Sequence, residues 1–443
     1  MAAAASDKAR FYMEQSVPEL QELSTKGIFS GAEITSIAQK RSEFEHMVNM
    51  PGASTPTVFA RYATYEMNLD TLRKKRSTRL GVKTTTYSGQ KKVFNVLERG
   101  VKRFQGDMGL WMQYLDFCKH EKANKKLSKA LTQCLRLHPL KWELWVWAAR
   151  HYVESQADMT SGRSFMQRGL RFCKNERNMW LQYAKLEMLY VAKIAARRKI
   201  LGLDEERKEE VVDDKHDPDA DMIALPSVTA EDLAPETEEG TEAVDEKALQ
   251  KLASTPAQNG AIPEAIMETA MKHFRQDPLL VEQFFDLFTD FADTPCSTRL
   301  SKRAMEYLES TQEKKNAKVL LSVCSAKMLL LGVDAQSAEF PVALGKALQQ
   351  LKSATAADQE TQALLASRTI EMFLPYLSQR DEMDEGVKRV FDASVKRSIR
   401  TLKTSTTMRG RNPLIELVKR LKSNKKISAE LLLEYDLITQ EEG

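Results

Sequence analysis

Trp180-Leu181-Gln182-Tyr183-Ala184-Lys185-Leu186-Glu187 is the stretch from which the fold follows. Its Trp, Tyr, Ala and Glu stand at offsets zero, three, four and seven, which places all four on one face of an α-helix. The stripe recurs as Trp145, Ala148, Ala149 and Tyr152, and as Trp111, Tyr114 and Leu115. The three tryptophans are 34 and 35 residues apart, and Val101, Leu135 and Leu170, each ten residues earlier, keep the same step. A period of this size means stacked repeats. Each unit reads as an antiparallel helix pair, with His138-Pro139 ending one pair because proline lacks an amide donor and disfavours helix at the residue before it. A lone pair would expose a wide apolar stripe, so the units must stack.

The pattern extends both ways. Phe59, Tyr62, Ala63 and Glu66 repeat the offsets upstream, behind a Thr55-Pro56 helix start, and Glu33 to Asn49 reads as a leading half repeat. From Phe59 to Trp111 is 52 residues, and the surplus of 18 coincides with a basic stretch, read as an insertion over 73–92 with a loop at its end. Downstream, Asp277-Pro278 opens a helix with Phe284, Leu287, Phe288 and Phe291 in the same stripe, and 318–379 reads as two or three further helices. The fold expected is all-α, an α-solenoid of helix-pair repeats. Its expected parts are an N-terminal helical region and half repeat (1–50), a repeat array (51–203), an acidic linker (204–260) and a C-terminal helical region (261–443).

The formal net charge of the 443 residues is only +4, but it is segregated. Residues 204–246 hold 18 acids against Arg207, Lys208 and Lys215, a segment charge of −15, so the other 400 residues carry +19. That segment has no aromatic residue and three prolines, the composition of a solvated, disordered spacer. Two stretches are basic: 73–92, with eight cations and no acid, and 387–426, with 13 cations and two acids. Arg73, Lys74, Lys75, Arg76, Arg79 and Lys83 are therefore candidate contacts for RNA or a partner, while a solvated helix face is the simpler reading of 387–426.

Other chemistries find little footing. The five cysteines never approach CxxC spacing, and the six histidines lack metal-ligand spacing. No GxxxxGK[ST], GxSxG, HExxH or GxGxxG string occurs. No run of 18 apolar residues is present, so a soluble, non-secreted protein is expected. The expectation is a non-enzyme with no cofactor, no metal, no small-molecule substrate and no membrane association. Phe59, Tyr62, Trp111, Tyr114, Trp145, Tyr152, Trp180, Tyr183 and Glu187 are read as structural, while Trp142 and Trp147 fall off the periodic position and are candidates for partner contact.

The stripe Trp180-x-x-Tyr183-x-x-x-Glu187 resembles the half-a-TPR (HAT) repeat of RNA-processing proteins. More specific is the N-terminal run: Glu14-Gln15-Ser16-Val17-Pro18-Glu19-Leu20, Lys26-Gly27-Ile28-Phe29, Arg61-Tyr62-x-x-Tyr65-Glu66-Met67-Asn68-Leu69 and Leu72-Arg73-Lys74-Lys75-Arg76. Together these resemble the U3 small nucleolar RNA-associated protein six family over residues 8–200. The resemblance implies a scaffold subunit of the UTP-B subcomplex of the small-subunit processome. Its implied partners are WD-repeat propeller subunits, the U3 snoRNP and the pre-rRNA 5′ external transcribed spacer, in the nucleolus of the nucleus, with a role in 18S rRNA maturation. The competing reading is a HAT-repeat subunit of the spliceosome or of the cleavage and polyadenylation machinery.

Overall fold

The computed structural model describes residues 2–50, 52, 54–83, 88–200, 260–311, 313–314, 316–354, 358–377, 379 and 383–404. The acidic stretch 204–246, residues 84–87 of the expected insertion and 405–426 of the C-terminal basic run lie outside these. Every regular element among the described residues is an α-helix.

The chain forms two compact units, 1–148 and 149–443. The first holds α1 (Ala2–Glu14), α2 (Val17–Thr25), α3 (Gly31–Asn49), α4 (Pro56–Leu80), α5 (Ser88–Arg103), α6 (Met108–His120) and α7 (Asn124–Leu137). The division falls within α8 (Trp142–Ser155). The second holds α9 (Met159–Phe172), α10 (Arg177–Ile200), α11 (Ala261–His273), α12 (Pro278–Thr289), α13 (Ser297–Ser310), α14 (Ala317–Leu330), α15 (Phe340–Ser353), α16 (Gln359–Leu377) and α17 (Glu385–Thr404).

Local chemistry sets the helix starts. Ser30 and Glu33 form a reciprocal capping box on α3. Asp107 accepts from the Leu110 amide at 2.8 Å and Asp158 from the Ser161 amide at 2.9 Å, satisfying first-turn donors of α6 and α9. Pro56 and Pro278 occupy the first turn of α4 and α12, where no amide is needed. Thr55 precedes α4 as expected, but its hydroxyl bonds Thr57 and caps no backbone amide.

The periodic tryptophans do more than fill space. Trp111, Trp145 and Trp180 are 2%, 5% and 7% exposed. Each donates its indole N–H to the carbonyl six residues earlier: Gln105 at 2.9 Å, Pro139 at 3.0 Å and Lys174 at 2.9 Å. The ring thus fastens the loop entering its helix while its body packs in the core. Small residues let neighbours approach. A Cβ on Gly100 would lie 3.0 Å from the Phe59 ring and 2.9 Å from Leu110, and one on Gly162 would lie 2.6 Å from Val153.

Much of the expected insertion over 73–92 is helical: α4 runs on to Leu80, ends at Gly81 in the left-handed conformation (φ 66°), and α5 begins at Ser88, while 84–87, where most of the loop was expected, lie outside the described residues. The surplus length goes largely into helix. The second unit resumes as anticipated at Asp277-Pro278, with Phe284 and Phe288 fully buried, and 318–379 comprises α14, α15 and α16. There Phe373 meets Phe391 edge-on at 5.0 Å, and the Tyr376 hydroxyl donates to the Leu330 carbonyl at 2.8 Å. Helices α10 and α11 pack together although 201–259 separate them in sequence: Trp180 stacks near His273 (6.3 Å), and Arg177 pairs with Asp277 at 2.5 Å.

Because the Trp145 ring is both packed and hydrogen-bonded, Trp145→Ala is expected to lower stability by about 3–5 kcal/mol. Trp145→Phe, which keeps much of the packing but deletes the donor, should cost about 1–2 kcal/mol. Denaturant unfolding followed by circular dichroism measures both, and a negligible cost for Trp145→Phe would show that the loop does not depend on the indole N–H.

Candidate functional site

The six candidate cations lie on and just after the last turns of α4, and the structure divides them. Arg73 is 3% exposed and donates to Asp70 Oδ1 at 2.6 Å, turned inward. Lys74 reaches the other Asp70 oxygen at 2.8 Å. Arg76 forms a two-pronged bond to Glu33 (2.9 and 2.8 Å), donates to the Ile28 carbonyl and covers the Phe29 ring at 4.8 Å. That pairing, together with the Ser30 amide, pulls the Glu33 carboxyl down to about 2. Arg76 thus serves the packing of α4 on α3 and its preceding loop, while Arg73 is buried in an ion pair within α4. Lys75, Arg79 and Lys83 are exposed.

Beside this cluster lies a buried charge network that sequence reading passed over. Arg41 of α3 is 1% exposed and grips Glu66 of α4 through two bonds of 2.8 Å, with Glu19 of α2 at 3.3 Å. Burial opposes the Arg41 charge, but Glu66 and Glu19 more than offset it and raise its pKa above the ordinary value. Arg99 of α5 makes the same two-pronged contact with Glu45 of α3, at 3.0 and 2.7 Å, and lies 3.9 Å over the Tyr12 ring of α1. Tyr62 stacks on Phe44 at 5.0 Å with ring planes 7° apart. These contacts tie α1 to α5 together by directional bonds rather than by area alone.

In the second unit Arg163 of α9 holds Glu187 of α10 through two bonds of 2.8 Å. The glutamate that closes the helical stripe, Glu66 or Glu187, is therefore paired with an arginine 25 or 24 residues upstream. Where Cys118 and Tyr152 stand instead, aromatic contacts occupy the region. Phe94 meets Phe117 at 4.8 Å and Tyr114 at 6.4 Å, and Tyr152 stacks on Phe165 at 5.1 Å. Tyr114 donates to Glu98 at 3.2 Å, and Tyr183 is 5% exposed. Trp142 and Trp147 are both half-buried. An upstream arginine in step with the stripe glutamate was the available signal for this network.

Lys92, counted as part of the basic stretch, is half-buried beside these pairs. Burial, reinforced by the Arg41 charge, lowers its ammonium from an ordinary 10.5 to about 8. The five cysteines are free thiols and buried, and burial raises Cys118 and Cys134 to about 12, far from a reactive thiolate. Among the described residues no group of three or more His, Cys, Asp or Glu could hold a metal ion, and no helix is long and apolar enough to cross a membrane. A cavity of about 430 Å³ has Lys8, Phe11, Tyr12, Arg99 and Arg103 in its wall, and Arg103 is committed to the Val48 carbonyl at 2.9 Å.

Two outcomes follow. Arg41→Met strands Glu66 and should cost about 3–5 kcal/mol, whereas Arg41→Met with Glu66→Met should recover most of it; equal losses in urea unfolding would show that the pair acts only through its volume. Lys92 has a lowered folded pKa, so its charge penalises the fold below about pH 8, and the penalty fades as pH rises towards 10.5. Lys92→Met should be more stable than the parent by about 1–3 kcal/mol at pH 7, with the advantage shrinking over that window. A difference independent of pH would contradict this.

Residues 13–99, the span containing the Arg41–Glu66 and Arg99–Glu45 pairs, match the family described as U3 small nucleolar RNA-associated protein 6. A Schizosaccharomyces pombe protein named U3 small nucleolar RNA-associated protein 6 is 34% identical over 238 residues, covering 52% of this chain and 49% of the relative. A Homo sapiens homologue is 31% identical, covering 41% of this chain and 31% of its own length, and one from Dictyostelium discoideum is 24% identical over 42% and 31%. The chain thus spans about half of the first relative and about a third of the others. The matched N-terminal region, residues 13–99, is thus similar to the U3 small nucleolar RNA-associated protein 6 family.

Proposed function

We propose that this chain is a structural subunit of the U3-associated machinery that matures 18S rRNA, with its place in the UTP-B subcomplex of the small-subunit processome. The observation that supports this most directly is the family match over residues 13–99, whose folding is organised by inter-helix ion pairs rather than by a reaction centre. In this reading the helix pairs form HAT-type repeats that present long side faces to WD-repeat propeller subunits, and the protein works in the nucleolus beside U3 snoRNA and the 5′ external transcribed spacer. The 34- and 35-residue steps, each with its indole-to-carbonyl bond, support repeat stacking. The role is one of assembly, with no substrate turned over. The competing assignment to splicing or polyadenylation machinery draws no support from the relatives' names.

Affinity purification of the tagged protein tests the proposal. U3 snoRNA and propeller subunits are expected in the eluate, with loss of 18S rRNA and accumulation of its precursors on depletion. Recovery of splicing or polyadenylation factors without U3 would refute it.

A further inference from the structure

The residues that the charge count singled out are partly consumed by ion pairs, whereas a second set of cations is spread through helices in a way no run count detects. Helix α7 contains no acidic residue in its 14 positions. Its inner face, Leu127, Ala130, Leu131, Cys134 and Leu135, is buried, and Lys125, Lys129 and Arg136 are exposed. At offsets of four and eleven these three cations share one face over three helical turns. They span about 16 Å at 1.5 Å per residue. Between them the other exposed positions are Lys126, Ser128, Thr132 and Gln133; the Thr132 hydroxyl donates to the Ser128 carbonyl at 2.8 Å, and Ser128 and Gln133 carry polar groups that can donate to phosphate oxygens.

The fold explains only part of this placement. Lysines 125 and 126 stand in the first turn, where the helix dipole disfavours cations. Lys126 is compensated by Glu98 at 3.0 Å and by the Phe94 ring at 4.1 Å, and both contacts bring α7 beside α5. On α5, Lys102 is also exposed, and it occupies the position of Arg136 one repeat earlier, directly after Val101 and Leu135. A core position recurs at the repeat period because packing demands it. For Lys102 and Arg136 the recurring cation has a reason of its own, since both stand in the last turn of their helices, where the dipole favours positive charge. Lys125 in the first turn and Lys129 in the middle of α7 have none, and their alignment with Arg136 points to a ligand with regularly spaced negative charge.

We infer that the exposed face of α7, carrying Lys125, Lys129 and Arg136 and continued by Lys102 of α5, is a binding face for the sugar-phosphate backbone of single-stranded RNA. This rests on the RNA-associated role proposed above and names the surface that would make the contact. An acidic protein partner fits less well. The face lacks the exposed aromatic anchors that carry most protein interfaces, and its cations alternate with small hydroxyl and amide groups of the kind that line phosphate contacts.

The test is the salt dependence of binding of the 443-residue protein to a fluorescein-labelled, unstructured RNA oligonucleotide, followed by anisotropy. Replacing Lys125, Lys129 and Arg136 together by Gln should weaken binding about tenfold or more at low salt. It should also reduce the slope of log K against log salt by about 2, near 0.7 per lost phosphate contact on a single strand. Lys75→Gln, Arg79→Gln and Lys83→Gln together remove the same charge from the end of α4 and should leave the slope as it is. Circular dichroism checks that both variants fold. Parental affinity and slope in the α7 variant, or equal losses in the two triple variants, would overturn the assignment, as would parental protein that binds polyglutamate but not RNA. In each of these cases continued recovery of U3 snoRNA from cells would leave the family role standing and reject the α7 face alone.

Discussion

An indole N–H bonded to the carbonyl six residues before it is the contact on which the N-terminal helix pairs depend. A chain of successive helices must decide, at every turn, where one helix stops and the next begins, and hydrophobic burial alone does not fix that point. The tryptophan does so with a single side chain: its ring enters the core and its polar edge takes up a loop carbonyl that would otherwise be stranded near apolar surface. The same geometry at Trp111, Trp145 and Trp180 makes the entering loops equivalent. Phenylalanine at positions 59 and 284 fills the corresponding space without a donor, and in both cases a proline has already set the first turn.

The second organising element is polar and buried. Arg41–Glu66, Arg163–Glu187 and the Arg368–Glu282 contact of 2.8 Å between α16 and α12 each remove charges from water. Such pairs add little net stability compared with apolar replacements of the same volume, but a helix that slides by one residue breaks both bonds at once. They therefore define the register between helices whose packing surfaces are otherwise tolerant. Aromatic stacking does this work near Cys118 and Tyr152, where no glutamate closes the stripe.

The sequence made the all-helical class, the repeat period and the proline-marked boundaries legible, because each arises from chemistry within a few residues: a stripe at helical spacing, a missing amide, a ring six residues from its loop. What escaped it depends on neighbours from other helices. Arg73 and Lys92 counted as basic charge available to a ligand, yet Arg73 is buried and Lys92 stands half-buried beside Arg41 and Glu66. The surplus between Phe59 and Trp111 resembled an inserted loop, since Thr84 to Gly89 are turn formers, yet the residues before them had no reason to leave the helix and did not. The cations of α7 escaped notice for the opposite reason. They are dispersed one per turn, and only the helix gathers them on one side.

The packing of α10 on α11 has a consequence for how the chain can change. Trp180 stacks near His273 of α11 and Arg177 pairs with Asp277 at the start of α12, with 59 residues of sequence between Ile200 and Gly260. The entropic cost of bringing two chain positions together grows only logarithmically with the number of residues between them, roughly 0.6 kcal/mol per doubling. The length of this segment is thus nearly uncoupled from the stability of the helices it joins. A lineage could lengthen, shorten or re-charge it without disturbing the neighbours, which makes this the place where the protein can acquire new regulation while its architecture stays fixed.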